Sequence, residues 1–197
     1  MPEILVLYYS RTGGVRQMAQ FVGRGVEMVP GMSARLRTVP AVSALTETVE
    51  STIPDDGAPY VEHKDLEECA GLALGSPTRF GNMAAPMKYF IDGLGALWLR
   101  GTMVGKPATV FTASSSAHGG QEATLLTMML PLMHNGMMIV SLPYSEPELS
   151  TTSTGGTPYG ASHVSGPNRD QPISEDERRL CIAHGKRLAE IARKLAA

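Results

Sequence analysis

Five short apolar runs, at residues 4–9, 33–39, 71–75, 108–113 and 137–142, alternate with stretches in which apolar residues recur at helical spacing. That alternation is the pattern of βαβ units, so the chain reads as an α/β protein on a five-stranded, doubly wound parallel sheet. The first, third and fifth runs are apolar enough for strands covered on both faces. In the second, Arg35 and Arg37 flank Leu36, which fits an edge strand. Val15, Met18, Ala19, Val22 and Val26 make an amphipathic helix directly after the first strand, and residues 121–133 make another. Met87, Phe90, Ile91 and Leu94 continue one helical period to Trp98. The last helix is the most completely marked. Ser174 and Glu177 form a capping box, Glu175 and Asp176 complement its positive end, and Arg193 and Lys194 its negative end. Leu180, His184, Leu188, Ile191 and Leu195 share one face.

Two polar stretches break the alternation: 43–62, with Pro54, Asp55, Asp56, Gly57 and Pro59, and 146–172, rich in Ser, Thr, Gly and Pro. Both exceed ordinary connections and are expected to be surface insertions, lids or assembly elements. With 197 residues, too few for two full domains, the expectation is one domain over 1–197.

Charge and cysteine content narrow the function. Seventeen Lys and Arg against 19 Asp and Glu give a net charge of −2, which offers no basic field for nucleic acid. It also lacks the strong acidity of a small electron carrier that docks on basic partners. Cys69 and Cys181 lie far apart and outside any CxxC, so neither a disulfide framework nor a zinc site is indicated. Met1-Pro2-Glu3 passes straight into the first strand without a basic leader, and the apolar stretch 125–142 is interrupted by Pro131, His134, Asn135 and Gly136. A cytoplasmic protein without a membrane span is expected, and no metal.

In an open parallel sheet, ligands sit beyond the carboxyl ends of the strands, so the chemistry should lie in the loops that leave those ends. The first strand ends in Ser10-Arg11-Thr12-Gly13-Gly14-Val15, the third in Gly75-Ser76-Pro77-Thr78-Arg79-Phe80-Gly81-Asn82-Met83, the fourth in Thr112-Ala113-Ser114-Ser115-Ser116-Ala117-His118-Gly119-Gly120. All three are rich in hydroxyls, glycines and backbone N–H groups, which suits one polar ligand spanning three strand ends. The first loop has the parts of a phosphate cradle at a helix N-terminus, although ordinary capping accounts for it equally. It is neither Walker A nor GxGxxG, so a monophosphate fits better than a triphosphate or dinucleotide. Phe80 either anchors its loop on the core or packs on an aromatic ring. Arg79 is a solvated charge or a partner for ring carbonyls or phosphate. Trp98, the sole tryptophan, is a core or interface filler at least as readily as a site residue. His118 and His134 are hydrogen-bonded structural residues or proton sources near neutral pH, and His63, His163 and His184 have no comparable setting.

Ser10 to Val15, the run Gly75-Ser76-Pro77-Thr78-Arg79-Phe80-Gly81-Asn82-Met83, His118-Gly119-Gly120-Gln121-Glu122, His134-Asn135-Gly136-Met137 and Gly155-Gly156-Thr157-Pro158-Tyr159-Gly160-Ala161 together resemble the WrbA-type NAD(P)H:quinone oxidoreductases. The likeness covers nearly the whole chain. It implies a flavodoxin-like fold with strand order 2-1-3-4-5, bound FMN, a homotetramer, and two-electron reduction of quinones by NADH or NADPH alternating at one flavin face. By matching position, FMN phosphate would lie on Ser10, Arg11, Thr12, Gly13, Gly14 and Val15. The isoalloxazine would lie between Pro77, Thr78, Arg79, Phe80, Gly81 and Asn82 on one side and Thr112, Ala113, Ser114, Ser115, Ser116, Ala117, His118 and Gly119 on the other. His134, the implied proton donor, and Trp98 would border the open face of the flavin. Thr12 stands where some members carry a tyrosine that helps hold the nicotinamide. The alternative is a flavodoxin-like one-electron carrier, which would use the same FMN site. A phospho-receiver domain would need acidic residues where this chain has Tyr8-Tyr9-Ser10 and Gly75-Ser76-Pro77.

Overall fold

The computed structural model describes residues 1–42 and 57–196. Strands β1 (Glu3–Tyr8), β2 (Ser33–Thr38), β3 (Gly71–Pro77), β4 (Pro107–Ser114) and β5 (Met138–Ile139) form a parallel sheet in the order β2-β1-β3-β4-β5. Helices α1 (Gly14–Glu27), α2 (His63–Glu68), α3 (Ala85–Asp92), α4 (Gly95–Leu99), α5 (Gln121–His134), α6 (Glu148–Thr151) and α7 (Glu175–Leu195) connect and cover it.

The period of two along β1 builds a core on each face of the sheet. Ile4, Val6 and Tyr8 pack with α1 and α7, whereas Leu5 and Leu7 pack into the opposite core with Leu66, Met87, Leu97, Leu125 and Met128. Both sets are buried, so β1 is a central strand, as its composition demands. β2 is the edge its arginines announce: Arg35 and Arg37 both bond Asp65 of α2, and Arg35 also bonds Glu3 and Glu68.

The other edge departs from expectation. Of the apolar run 137–142 only Met138 and Ile139 pair, with Pro107 and Ala108 at the base of β4, and Met138 is exposed. The upper half of that edge is a further strand, β6 (Ala161–Val164), which pairs Phe111 to Ser114 of β4. The fifth position of the sheet is therefore split between two segments, and part of the expected 146–172 insertion is sheet. His184 of α7 joins the pieces: Nε2 donates to Val140 O at 3.0 Å, Nδ1 accepts from Ala161 N at 3.4 Å, and the ring meets the Thr109 hydroxyl. One neutral tautomer satisfies both backbone groups.

The helical period from Met87 to Trp98 is also interrupted, because the chain leaves the helix at Gly93 and restarts as α4. Most of the stretch 43–62 lies outside the described residues; its last part returns to the β2 edge through bonds between Thr38 and both Pro59 and Val61. α1 and α7 lie against each other at paired glycines, where a Cβ on Gly25 would overlap the Ile182 carbonyl and one on Gly185 that of Val22. Among the described residues no helix is long and apolar enough to cross a membrane.

Candidate functional site

The N-terminus of α1 has unsatisfied donors. Its N-cap is Gly13 at φ 95°, a left-handed conformation that glycine adopts without steric cost, and no side chain caps the helix. Ser10 Oγ instead accepts from Gly13 N at 3.2 Å. The first turn holds no acidic residue. Amides of a first turn have no intrahelical acceptors, and with the helix dipole they favour an anion. α7 contrasts: Ser174 and Glu177 complete the capping box, with Glu175 and Asp176 beside them, so that helix end is already neutralised.

The three strand-end loops meet around a cavity of about 90 Å³. Ser10, Arg11, Thr12, Gly14 and Val15 line it from the first loop, Pro77, Thr78 and Arg79 from the second, and Ala113, Ser114 and Ser115 from the third. Gly13 borders an adjoining hollow of about 580 Å³, and Asn82 another of about 750 Å³ that it shares with Tyr9, Arg11 and Arg79. Cross-links fix the loops: Thr78 N donates to Ala113 O at 2.9 Å, and the Thr78 and Thr124 hydroxyls are 2.6 Å apart. Thr112 does not line the cavity; it is buried and donates to Ser76 O at 2.7 Å, locking β4 to β3. Ser116, Ala117 and His118 are exposed on the turn closed by Gly119 N to Ser116 O.

Phe80 is not a core anchor. Arg79 and Asn82 exchange backbone bonds of 2.7 and 3.0 Å, leaving Phe80 and Gly81 at the tip with φ 53° and 78°. The Phe80 ring is fully exposed, and Thr127 Oγ1 ties the turn to α5 through Gly81 O at 3.0 Å. An aromatic held in the left-handed region with no protein packing is the type of strain found at ligand clamps.

His134 and Trp98 do not reach this cavity within one chain. Their rings stack at 5.8 Å and 24°, at the end of α5 remote from the loops. The fourteen-residue helix runs from Gln121, beside the fourth-strand loop, to His134, a span of about 20 Å at 1.5 Å per residue. His134 lies instead near the amino ends of the strands, where Gly105 N bonds Gly136 O.

Sequence reasoning missed residues that border the site from β6 and the turn after it, His163, Ser165 and Arg169 among them. Ser165 and Arg169 line the 90 Å³ cavity, and His163 lines the larger hollow beside Thr12, Gly13 and Gly14. His163 Nδ1 lies 2.9 Å from Glu177 Oε2. Glu177 also accepts from the amides of Gly155, Val164 and Ser174. Burial pushes its carboxyl upward, but the bond from His163 and these amides outweigh that and hold it below the usual carboxylate range. Both cysteine thiols are buried and pushed upward by desolvation, which keeps them unreactive.

Residues 3–146 match the family model described as NADPH-dependent FMN reductase. Two proteins named NAD(P)H dehydrogenase (quinone) match end to end. That of Solidesulfovibrio magneticus is 40% identical, covering 99% of this chain and 100% of its own; that of Syntrophobacter fumaroxidans is 41% identical, covering 98% of each. The chain belongs to this FMN reductase family. A flavodoxin, WrbA-like protein from Agrobacterium tumefaciens superposes with TM-score 0.72 over 98% of this chain and 99% of its own at 21% identity, which confirms the flavodoxin-like fold. The uncapped, acid-free start of α1 and the hydroxyl-rich loops around it suit the FMN that the family binds.

Proposed function

We propose that the protein is an FMN-dependent NAD(P)H:quinone oxidoreductase that carries out two-electron reduction. The observation that carries this reading is the convergence of three strand-end loops on the uncapped N-terminus of α1, in a chain 40% identical over its length to a protein named for that activity. When bound, FMN supplies the hydride transfer between nicotinamide and quinone. Ser10, Arg11, Thr12, Gly13, Gly14 and Val15 would hold the phosphate with hydroxyls and first-turn amides. Pro77 to Asn82 and Thr112 to Gly119 would hold the ring and turn one face outward, with Phe80 gaining the packing it lacks in the isolated chain.

His134 and Trp98, some 20 Å from their own loops, would serve the site of a second copy. Homo-oligomerisation, as the homotetramer the resemblance implies, is then part of the site, and it would cover the exposed Trp98, Leu99, Val104, Leu130 and Met133. There His134 would hand a proton to the quinone oxygen, while Trp98 and Thr12 would position the nicotinamide and quinone in turn. A net charge of −2 does not favour the one-electron carrier.

The test is an anaerobic titration of the FMN-loaded protein with NADH or NADPH, followed by benzoquinone. Flavin absorbance that bleaches, shows no radical form and returns on quinone supports the enzyme. An accumulating radical form would move the assignment to the electron carrier, and failure to bind FMN would remove both.

A further inference from the structure

The first-strand loop carries Arg11 but no lysine, and the structure brings further basic side chains to it from about 150 residues downstream. β6 pairs His163 with Ala113 and sets it between the N-termini of α1 and α7. The ring is 2% exposed. Because Glu177 is a carboxylate that can only accept, Nδ1 carries the proton in their 2.9 Å bond, and the other ring nitrogen remains available. Nε2 makes no hydrogen bond among the described residues. It faces Gly14, the first residue of α1, where an added Cβ would sit 3.7 Å from it and 3.2 Å from Cδ2. The absence of a side chain at position 14 therefore leaves the space in which His163 comes up to the helix start.

Arg169 approaches from the turn after β6, where its amide bonds Gly166 O at 3.0 Å. It borders both the cavity among the three loops and the hollow lined by His163, Thr12 and Gly13, and its guanidinium has no hydrogen bond or ion pair among the described residues. A buried imidazole held in register by a carboxylate, and an arginine without a partner, thus flank a helix end rich in donors.

We propose that His163 and Arg169 form the cationic wall of the phosphate end of the flavin site and make the protein select FMN over riboflavin. The inference rests on the flavin-binding reading above. Glu177 fixes the ring through Nδ1 and so aims Nε2 at a phosphate oxygen, while Arg169 adds guanidinium donors from the open side. Arg11 and Arg79 line the cavity that Arg169 borders and Arg16 and Asp170 line the hollow, so the field there comes from these groups together with His163, Glu177 and Arg169.

The experiment titrates flavin-free full-length protein with FMN and, separately, with riboflavin, following flavin fluorescence. His163→Gln and Arg169→Ala are each expected to weaken FMN about tenfold, the scale of one lost charge-assisted bond, and to change riboflavin less than twofold. Equal losses for both ligands would overturn the proposal by making the residues structural, and so would unchanged FMN affinity. Should His163→Gln misfold, Arg169→Ala decides, because Arg169 is exposed and its side chain braces nothing in the described structure. A wild-type protein that binds neither flavin would refute the flavin reading itself, whereas one that binds both equally would refute only the phosphate wall.

Discussion

Phe80 pays twice for its position, once in backbone strain at φ 53° and once in full solvent exposure of its ring. Asparagine tolerates the left-handed region better. Phe80→Asn is therefore expected to leave the flavin-free protein as stable or up to about 1 kcal/mol more stable in urea denaturation, while weakening FMN binding several-fold. His184 makes the opposite kind of statement. Burial depresses its pKa from 6.5 to about 4 despite the bond to Val140 O, so the native state keeps it neutral while the unfolded chain takes up a proton. The stability it protects is complete above about pH 6.5 and is lost as pH falls toward 4, in total about 3 kcal/mol at 1.36 kcal/mol per pKa unit. Urea midpoints measured across that window should fall with acid before the depressed carboxyls of Glu177 and Asp65 begin to protonate; a flat profile would contradict it.

Elements were legible in the sequence where a local rule governs them. Ser174 and Glu177 announce the start of α7 because a capping box is written within four residues, and Arg35 and Arg37 mark an edge because charge is tolerated only there. The run 137–142 does supply the fifth strand, but over Met138 and Ile139 with one further bond from Val140 N to Ala108 O, because Met137 and Leu142 are buried by loop packing and not by ladder pairing. β6 is invisible because four residues, Ala161 to Val164, are too few to show a period between glycine- and proline-rich turns. Nor does Glu177, read as a capping residue, reveal that it also aligns His163. The contact of α1 with α7 is a further non-local fact. Gly185→Ala is expected to cost at least about 2 kcal/mol, read as a lowered thermal midpoint, since the new methyl meets the Val22 backbone and neither helix can yield alone.

At the scale of the whole molecule, the three loops were readable because strand ends of a parallel sheet converge whatever the side chains, whereas the separation of His134 and Trp98 from them emerges only in three dimensions. If a second copy supplies those two residues, mixed oligomers should complement. A chain with Ser10 and Thr12 replaced by alanine and a chain with Trp98→Ala and His134→Ala should each be inactive, yet unfolded and refolded together they should regain about a quarter of wild-type turnover, the random share of sites combining both intact halves. No recovery in a mixed oligomer that binds FMN would place all of the chemistry within one chain.

The split edge of the sheet has a consequence for the order of assembly. β1, β3 and β4 are made early and can pair as they emerge, but the half-strand that carries His163 comes after an excursion of some twenty residues, and α7, which clamps it through Glu177 and His184, comes later still. A nascent chain halted on the ribosome before residue 175 should therefore present the three loops without the wall that β6 and α7 add, and flavin binding by such a stalled chain is expected to be weaker than after α7 has emerged.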